Sequence, residues 1–274
     1  NVTVSAMTGT IALTSDSNGD NTGSFAQTAG TISTNNGAIS ITNGDANSGT
    51  GNVLLGAITD TGGAGITVTS QEGSILENAA NSSLLTSAGT VNLRAGFTTA
   101  GTTSVGTTAD RINSAAVSVT ATSGSGGIFI DEANDVNFTA TAVGAGGNVA
   151  LTSTAGAITV AGNSGNATAG AADSVTLTAQ TGVTVNNAVT VNSGTGTLLV
   201  NADSDGAGAG TLTLTGTGTL TSANTTVDAI TIRAQDISLS GTSVVSATGG
   251  GGGIRIFNSV GTANIHIGDV GGSG

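Results

Sequence analysis

The sequence predicts an all-β chain wound as a right-handed parallel β-helix, a β-solenoid of about 11 coils, and three observations carry that prediction. The first is composition: only 2% of the 274 residues are aromatic, Trp, Tyr, Pro and Cys are absent, and 46 residues are Gly. Ala, Val, Ile and Leu supply nearly all the apolar content, beside abundant Thr, Ser and Asn. β-Branched residues suit a pleated surface, and Gly and Asn tolerate the backbone of tight turns. A disordered chain would lack the recurrent apolar pairs and the positive mean hydropathy of +0.25.

The second observation is a repeated unit, an apolar alternation followed by a Gly-containing turn and another apolar pair. It reads ITVTSQEGSI at 66–75, VALTSTAGAITV at 149–160 and SVTLTAQTGVTV at 174–185. Period-two alternation directs Val149, Leu151, Ile158 and Val160 to one face and the Thr and Ser between them to the other. Two such strands cannot bury an apolar face alone; they have to stack on copies of themselves. The third observation is the interval between equivalent strands. Val149 to Val175 is 26 residues, Val175 to Leu198 is 23 and Ile230 to Ile254 is 24. Such uneven coils fit three short strands per turn with variable loops, rather than a strict hexapeptide rhythm. A β-sandwich is the alternative, supported by hairpin-like pairs such as Asn36-Gly37, Asn43-Gly44 and Asp205-Gly206. The expected organisation is one continuous solenoid over 1–274.

Taken in chain order, the segments with chemical content are few. The chain opens on VTV with no signal peptide, which reads as a processed or excised piece of something longer. DSNGDN follows, with oxygen side chains at Asp16, Asn18 and Asp20, a spacing that can wrap a hard cation. The EF-hand pattern fails there, because Gly19 stands fourth rather than sixth and the twelfth residue is Gln27. Asp203 and Asp205 in DSDG echo the spacing, so these five residues are the calcium candidates and calcium the one cofactor the sequence admits. Asp and Asn in a Gly-rich turn also serve turn geometry alone.

GIFIDEANDV at 127–136 gathers Asp131, Glu132 and Asp135. ATSGSGGIFI at 121–130 matches ATGGGGGIRI at 247–256 in seven of ten positions, and in the second copy Phe257, Asn258 and Ser259 follow instead of acids. Those carboxylates are therefore no part of the repeat. With Ile128 and Ile130 inward, Phe129 and Asp131 are expected outward and Glu132 at the start of a solvated turn. A polysaccharide-cleaving β-helix would pair such acids with basic residues in a groove, and only Arg94, Arg111, Arg233, Arg255 and His266 are on offer. His266, in NIHIGDV, is expected on the surface. No catalytic residue is assigned and the chain is expected not to be an enzyme. TLTLTGTGTLT at 211–221 raises ice binding by a Thr ladder, but VNLRA at 91 and IRIFN at 254 break the ladder.

Four basic residues against 16 acidic ones give a net charge of −12, which disfavours nucleic acid and anionic membrane surfaces. The acids are expected singly in turns, as solubilising charges. No apolar run reaches the ~20 residues needed to span a bilayer as a helix.

The apolar-Thr-Ser/Ala-x-x-Gly-x-Ile/Val unit, the segment ADRINSAAVSVTATSGSGGIFIDEANDV at 109–136 and the Gly/Thr/Ala/Val bias together resemble the repeat regions of large bacterial filamentous-haemagglutinin-like adhesins and autotransporter passengers. The resemblance covers most of the chain. It implies secretion across the outer membrane, a right-handed β-helix, and surface fibres for adhesion, aggregation or matrix. The chain departs from the family in lacking the amino-terminal secretion domain and any membrane-barrel segment, so it reads as part of a shaft and inherits no catalytic residues. The expected setting is extracellular, on a bacterial cell surface. The expected partner is a second copy stacked end to end, with calcium-stabilised and ice-binding modules as the other readings.

Overall fold

The computed structural model describes residues 3–17, 23–44, 51–78, 84–96, 101–166, 173–259 and 266–268. These form 28 strands and no helix. Every strand pairing whose register is given is parallel, which overturns the sandwich alternative, since hairpins would make antiparallel ladders. The chain is a right-handed parallel β-helix of about nine turns, fewer than the 11 expected. The short intervals visible in the sequence omit longer coils: Leu198 stacks on Ile230, 32 residues on, because the chain makes an excursion at 202–210 within that coil.

The chain divides into two compact units, Asn1–Ala133 with Ala142–Gly147, and Asn134–Thr141 with Asn148–Gly274. In the first unit one ladder stacks Ile11, Ile39, Ile66, Val91 and Val119, a second Val4, Ile32, Ile58 and Leu85, and a third Phe25, Val53, Ile75, Val105 and Ile128. In the second unit Val149, Val175, Leu198, Ile230 and Ile254 form one column, and Leu151, Leu177, Val200, Ile232 and Ile256 run beside it. Ile158, Val183, Leu212 and Ile237 form a ladder on another face, Val191, Leu220 and Val245 on a third. The sequence intervals from Val149 to Val175 and Leu198, and from Ile230 to Ile254, are thus true coil-to-coil registers.

Alternation decides what is inside. Strand Val175–Ala179 buries Val175, Leu177 and Ala179 and leaves Thr176 and Thr178 half-exposed. Since similar aliphatic shapes recur in each coil, the core is a stack of ladders that needs almost no aromatics; among the described residues Phe138 is the largest fully buried side chain.

Turn glycines let the coils approach. A Cβ on Gly37 would stand 1.9 Å from the carbonyl oxygen of Gly9 in the preceding coil, whereas one on Gly9 would meet nothing within 4 Å. Glycine at 37 is therefore required by the backbone it lies against.

Candidate functional site

The acids of GIFIDEANDV are structural in placement. Strand Gly127–Glu132 buries Gly127 through Ile130 without alternation and then Glu132. It changes partner midway, pairing Ser104–Val105 through Gly127 and Ile128, and Ile112–Ser114 through Ile130, Asp131 and Glu132. Phe129 and Glu132 are accordingly not the outward residue and the turn opener that alternation suggests. Glu132 is fully buried, and its Oε1 accepts from the backbone N–H groups of Ala116 at 3.0 Å and Ala133 at 3.1 Å. Asp131 pairs with Arg111 at 2.6 Å on the half-exposed surface. Asp135, in the second unit, accepts from the N–H of Ala157 at 2.7 Å.

Burial of acids is more general than charge patterning suggests. Asp60, Glu77, Glu132, Asp173 and Asp203 are all buried, against the expectation that the acids sit singly in turns as solubilising charges. The reason is local. Turn backbones leave N–H groups without ladder partners, and a carboxylate satisfies several at once. Asp60 accepts from the N–H of Gly62 at 3.1 Å and of Gly65 at 2.7 Å, and from the Ser87 hydroxyl at 3.2 Å. Asn113 Nδ2 donates to Glu77 Oε2 at 3.0 Å.

Of the calcium candidates, Asp16 follows strand Ile11–Ser15 with φ of +54°, a conformation that Asp tolerates; Asn18 and Asp20 lie outside the described residues. The side chain of His266 lies outside them too. Among the described residues there is no cluster of three or more His, Cys, Asp or Glu able to hold a metal. Asp203 and Asp205, however, share one place in the second unit with most of its unusual chemistry.

Strand Leu198–Asn201 ends there, and the chain leaves the ladder for the 202–210 excursion. The Ala202 N–H donates to Arg233 O at 2.8 Å and the Ser204 N–H to Ala179 O at 2.9 Å, which anchor the excursion at its root. Asp203 is 3% exposed and its Oδ2 accepts from the Gly208 N–H at 3.1 Å and from the Ser259 hydroxyl. Its Oδ1 is buried and meets no hydrogen-bond donor. Asp205 is exposed and accepts from the Ala207 N–H at 3.0 Å. That bond, foremost, holds its carboxyl below the usual value of 3.8; burial opposes it, and the side chains of Asp203 and Gln180 add to it.

These acids line a concavity of about 420 Å³ with Asn201, Arg233, Phe257 and Ser259. A neighbouring one of about 560 Å³ shares Arg233 and Phe257 and adds Arg255 and Asp228. Both guanidinium groups stand over the Phe257 ring, Arg255 at 4.9 Å and Arg233 at 5.6 Å from its centroid. Arg255 also pairs with Asp228 at 2.7 Å. A third concavity, of about 370 Å³, is in the first unit and mostly apolar, lined by Val4, Leu13, Phe25 and Ile32 among others. None of the three is lined by Asp131, Glu132 or Asp135.

Thr152, Thr159 and Thr176 face outward as expected, in broken runs, whereas Thr34, Thr103 and, against the expected outward placement, Ser153 are buried. Thr159, Thr184 and Thr213 stand in register, with Asn137 before them and Ser238 after.

No family model, curated protein or solved structure matches the chain at a significant level.

Proposed function

We propose that the chain is the structural shaft of an extracellular bacterial surface fibre or adhesin, serving adhesion, aggregation or matrix formation. The observation that carries this reading is the use of the polar residues. The acids that resemble a catalytic cluster each have an oxygen engaged by a backbone N–H group or by an arginine, and what remains is a set of in-register aliphatic ladders. Such ladders add stiffness with each coil and need no chemistry. The resemblance to filamentous-haemagglutinin-like repeats points the same way.

Self-association fits the strand edges. Ile254 and Ile256 continue the two core columns of the second unit yet are 41% and 37% exposed, and Val244 in the neighbouring ladder is 44% exposed. Apolar residues in a strand with an open edge recruit further strands. In this reading another coil, from a second copy or from a longer chain of the same kind, covers them.

Electron microscopy of the purified chain, joined to fibre diffraction, tests the proposal. Filaments with an axial spacing of about 4.8 Å are expected. Isolated particles at all concentrations would remove end-to-end assembly, and hydrolysis of an acidic polysaccharide by the same material would remove the structural reading altogether.

A further inference from the structure

We propose that the excursion at 202–210 carries a divalent-cation site, built on Asp203 and Asp205 and selective for calcium, that fastens this excursion to the segment after strand Ile254–Asn258. The inference rests on the donor set and stands whether or not the chain is a fibre shaft.

The first observation is Asp203 itself. A carboxylate oxygen that is buried and meets no donor is costly, because it loses water and gains nothing in return. Oδ2 has two donors; Oδ1, on the same group, has none. A cation is the ligand that satisfies such an oxygen without a further protein donor. The second observation is Asp205, which stands two residues along and lines the same concavity as Asp203. Two carboxylates lining one concavity repel each other, and a cation held between them relieves that repulsion. Asp205 is held below the usual carboxylate range, chiefly by the Ala207 N–H, which favours the ionised form and with it the cation. The third observation is what surrounds them. Asn201 and Ser259 place an amide and a hydroxyl oxygen on the same concavity, which is open enough for water to complete the shell.

This is an all-oxygen, irregular set, which suits calcium with its 6–8 ligands better than the strict octahedron of magnesium. Arg233 lines the same space, but its guanidinium stands over Phe257 and forms no ion pair with either acid. The Ser259 hydroxyl bridges to Asp203 across 56 residues of sequence, so a bound ion would tie together segments that are distant along the chain.

Calorimetric titration of the chelator-stripped full chain with calcium chloride tests the site, with Asp203→Asn and Asp205→Asn beside it. A single-site isotherm is expected with a Kd of about 10⁻⁴–10⁻³ M, the range of extracellular calcium modules. Each variant should weaken binding at least ~10-fold, as for loss of one charged ligand. Asp205 is exposed, so Asp205→Asn leaves the fold intact and keeps the test open should Asp203→Asn fail to fold. Amide exchange at 201–210 and 257–259 should slow on calcium addition in the wild type and not in Asp205→Asn. A flat isotherm at about 10 mM calcium, well above that range, would overturn the proposal. Unchanged calcium binding in Asp205→Asn would place the ion elsewhere and overturn it equally.

Discussion

A single methyl group separates two glycines that occupy equivalent turns of neighbouring coils. Gly37→Ala sets a Cβ 1.9 Å from the Gly9 carbonyl oxygen, and since that oxygen is backbone the coil has to move. The expected cost is about 1–3 kcal/mol, as for other overpacked positions. Gly9→Ala, with nothing within 4 Å, should be near neutral or slightly stabilising. Urea unfolding of the two variants checks the contrast; equal midpoints would show that turn glycines serve flexibility and not close approach. Asp60 makes the companion case for polar residues. Asp60→Ala removes the acceptor for the part-buried Gly62 and Gly65 N–H bonds and for the buried Ser87 hydroxyl. A loss of about 2–4 kcal/mol is expected, because each stranded donor costs about 1–3. Asp60→Asn should lose less, since it retains one carbonyl oxygen. The exposed Asp205 carries a pH dependence of definite sign. Its folded pKa is lowered, so its small stabilising effect is present above the ordinary value of 3.8 and fades as pH falls through the folded value. A carboxyl-carbon NMR titration with a midpoint at or above 3.8 would contradict this.

At the scale of the strand, one ladder position decides more than propensity does. Leu177 sits between Leu151 and Val200 in the column and is fully buried, while Thr176 beside it faces out between Ala150 and Leu199. Leu177→Ala should cost about 2–5 kcal/mol through the cavity it leaves. Thr176→Val, on a half-exposed pleated surface, should change stability by less than ~0.5 kcal/mol. Because neighbouring coils bear the loss, hydrogen exchange in Leu177→Ala should rise first in strands Val149–Ser153 and Leu198–Asn201. A uniform rise across the chain would show instead that it unfolds as one unit.

The same ladders explain what was legible beforehand. Alternation in ITVTS and VTLTA fixes which side chains are inside, and repetition fixes the stacking, so the fold class could be read from the residues. The coil count could not, since a coil lengthened by an excursion such as 202–210 leaves no periodic mark. Glu132 was misread, and Asp60 was covered only by the general expectation of acids in turns, because whether an acid is buried depends on N–H groups that the folded backbone alone brings to it. Of the candidate cation residues, Asp203 and Asp205 were visible as DSDG, but the part played by Ser259 was not, because 56 residues separate it from Asp203.

At the scale of the whole molecule, the scarcity of basic residues and the parallel hydrogen bonding combine into a strong expectation about proteolysis. The four basic residues are all Arg, at 94, 111, 233 and 255, so trypsin has four cleavage points in 274 residues. Three of them lie inside strands, Leu85–Ala95, Ile230–Ala234 and Ile254–Asn258. The fourth, Arg111, directly precedes strand Ile112–Ser123 and is ion-paired with Asp131. A protease must draw its substrate out as a free extended segment, and a strand bonded to the coils beside it is not free. Cleavage then waits for local opening, whose free energy is set by the strands on either side. Native chain should therefore survive a trypsin dose that digests the denatured chain completely, as read by gel electrophoresis and intact mass. Arg255 should be cut first, because Ile254, Ile256 and Phe257 around it are the most exposed large apolar residues of any described strand containing an arginine. Early cleavage after Arg94 or Arg233 would mean that the ladders open in the interior as readily as at that strand, and that the stacking does not confer the stiffness a shaft requires.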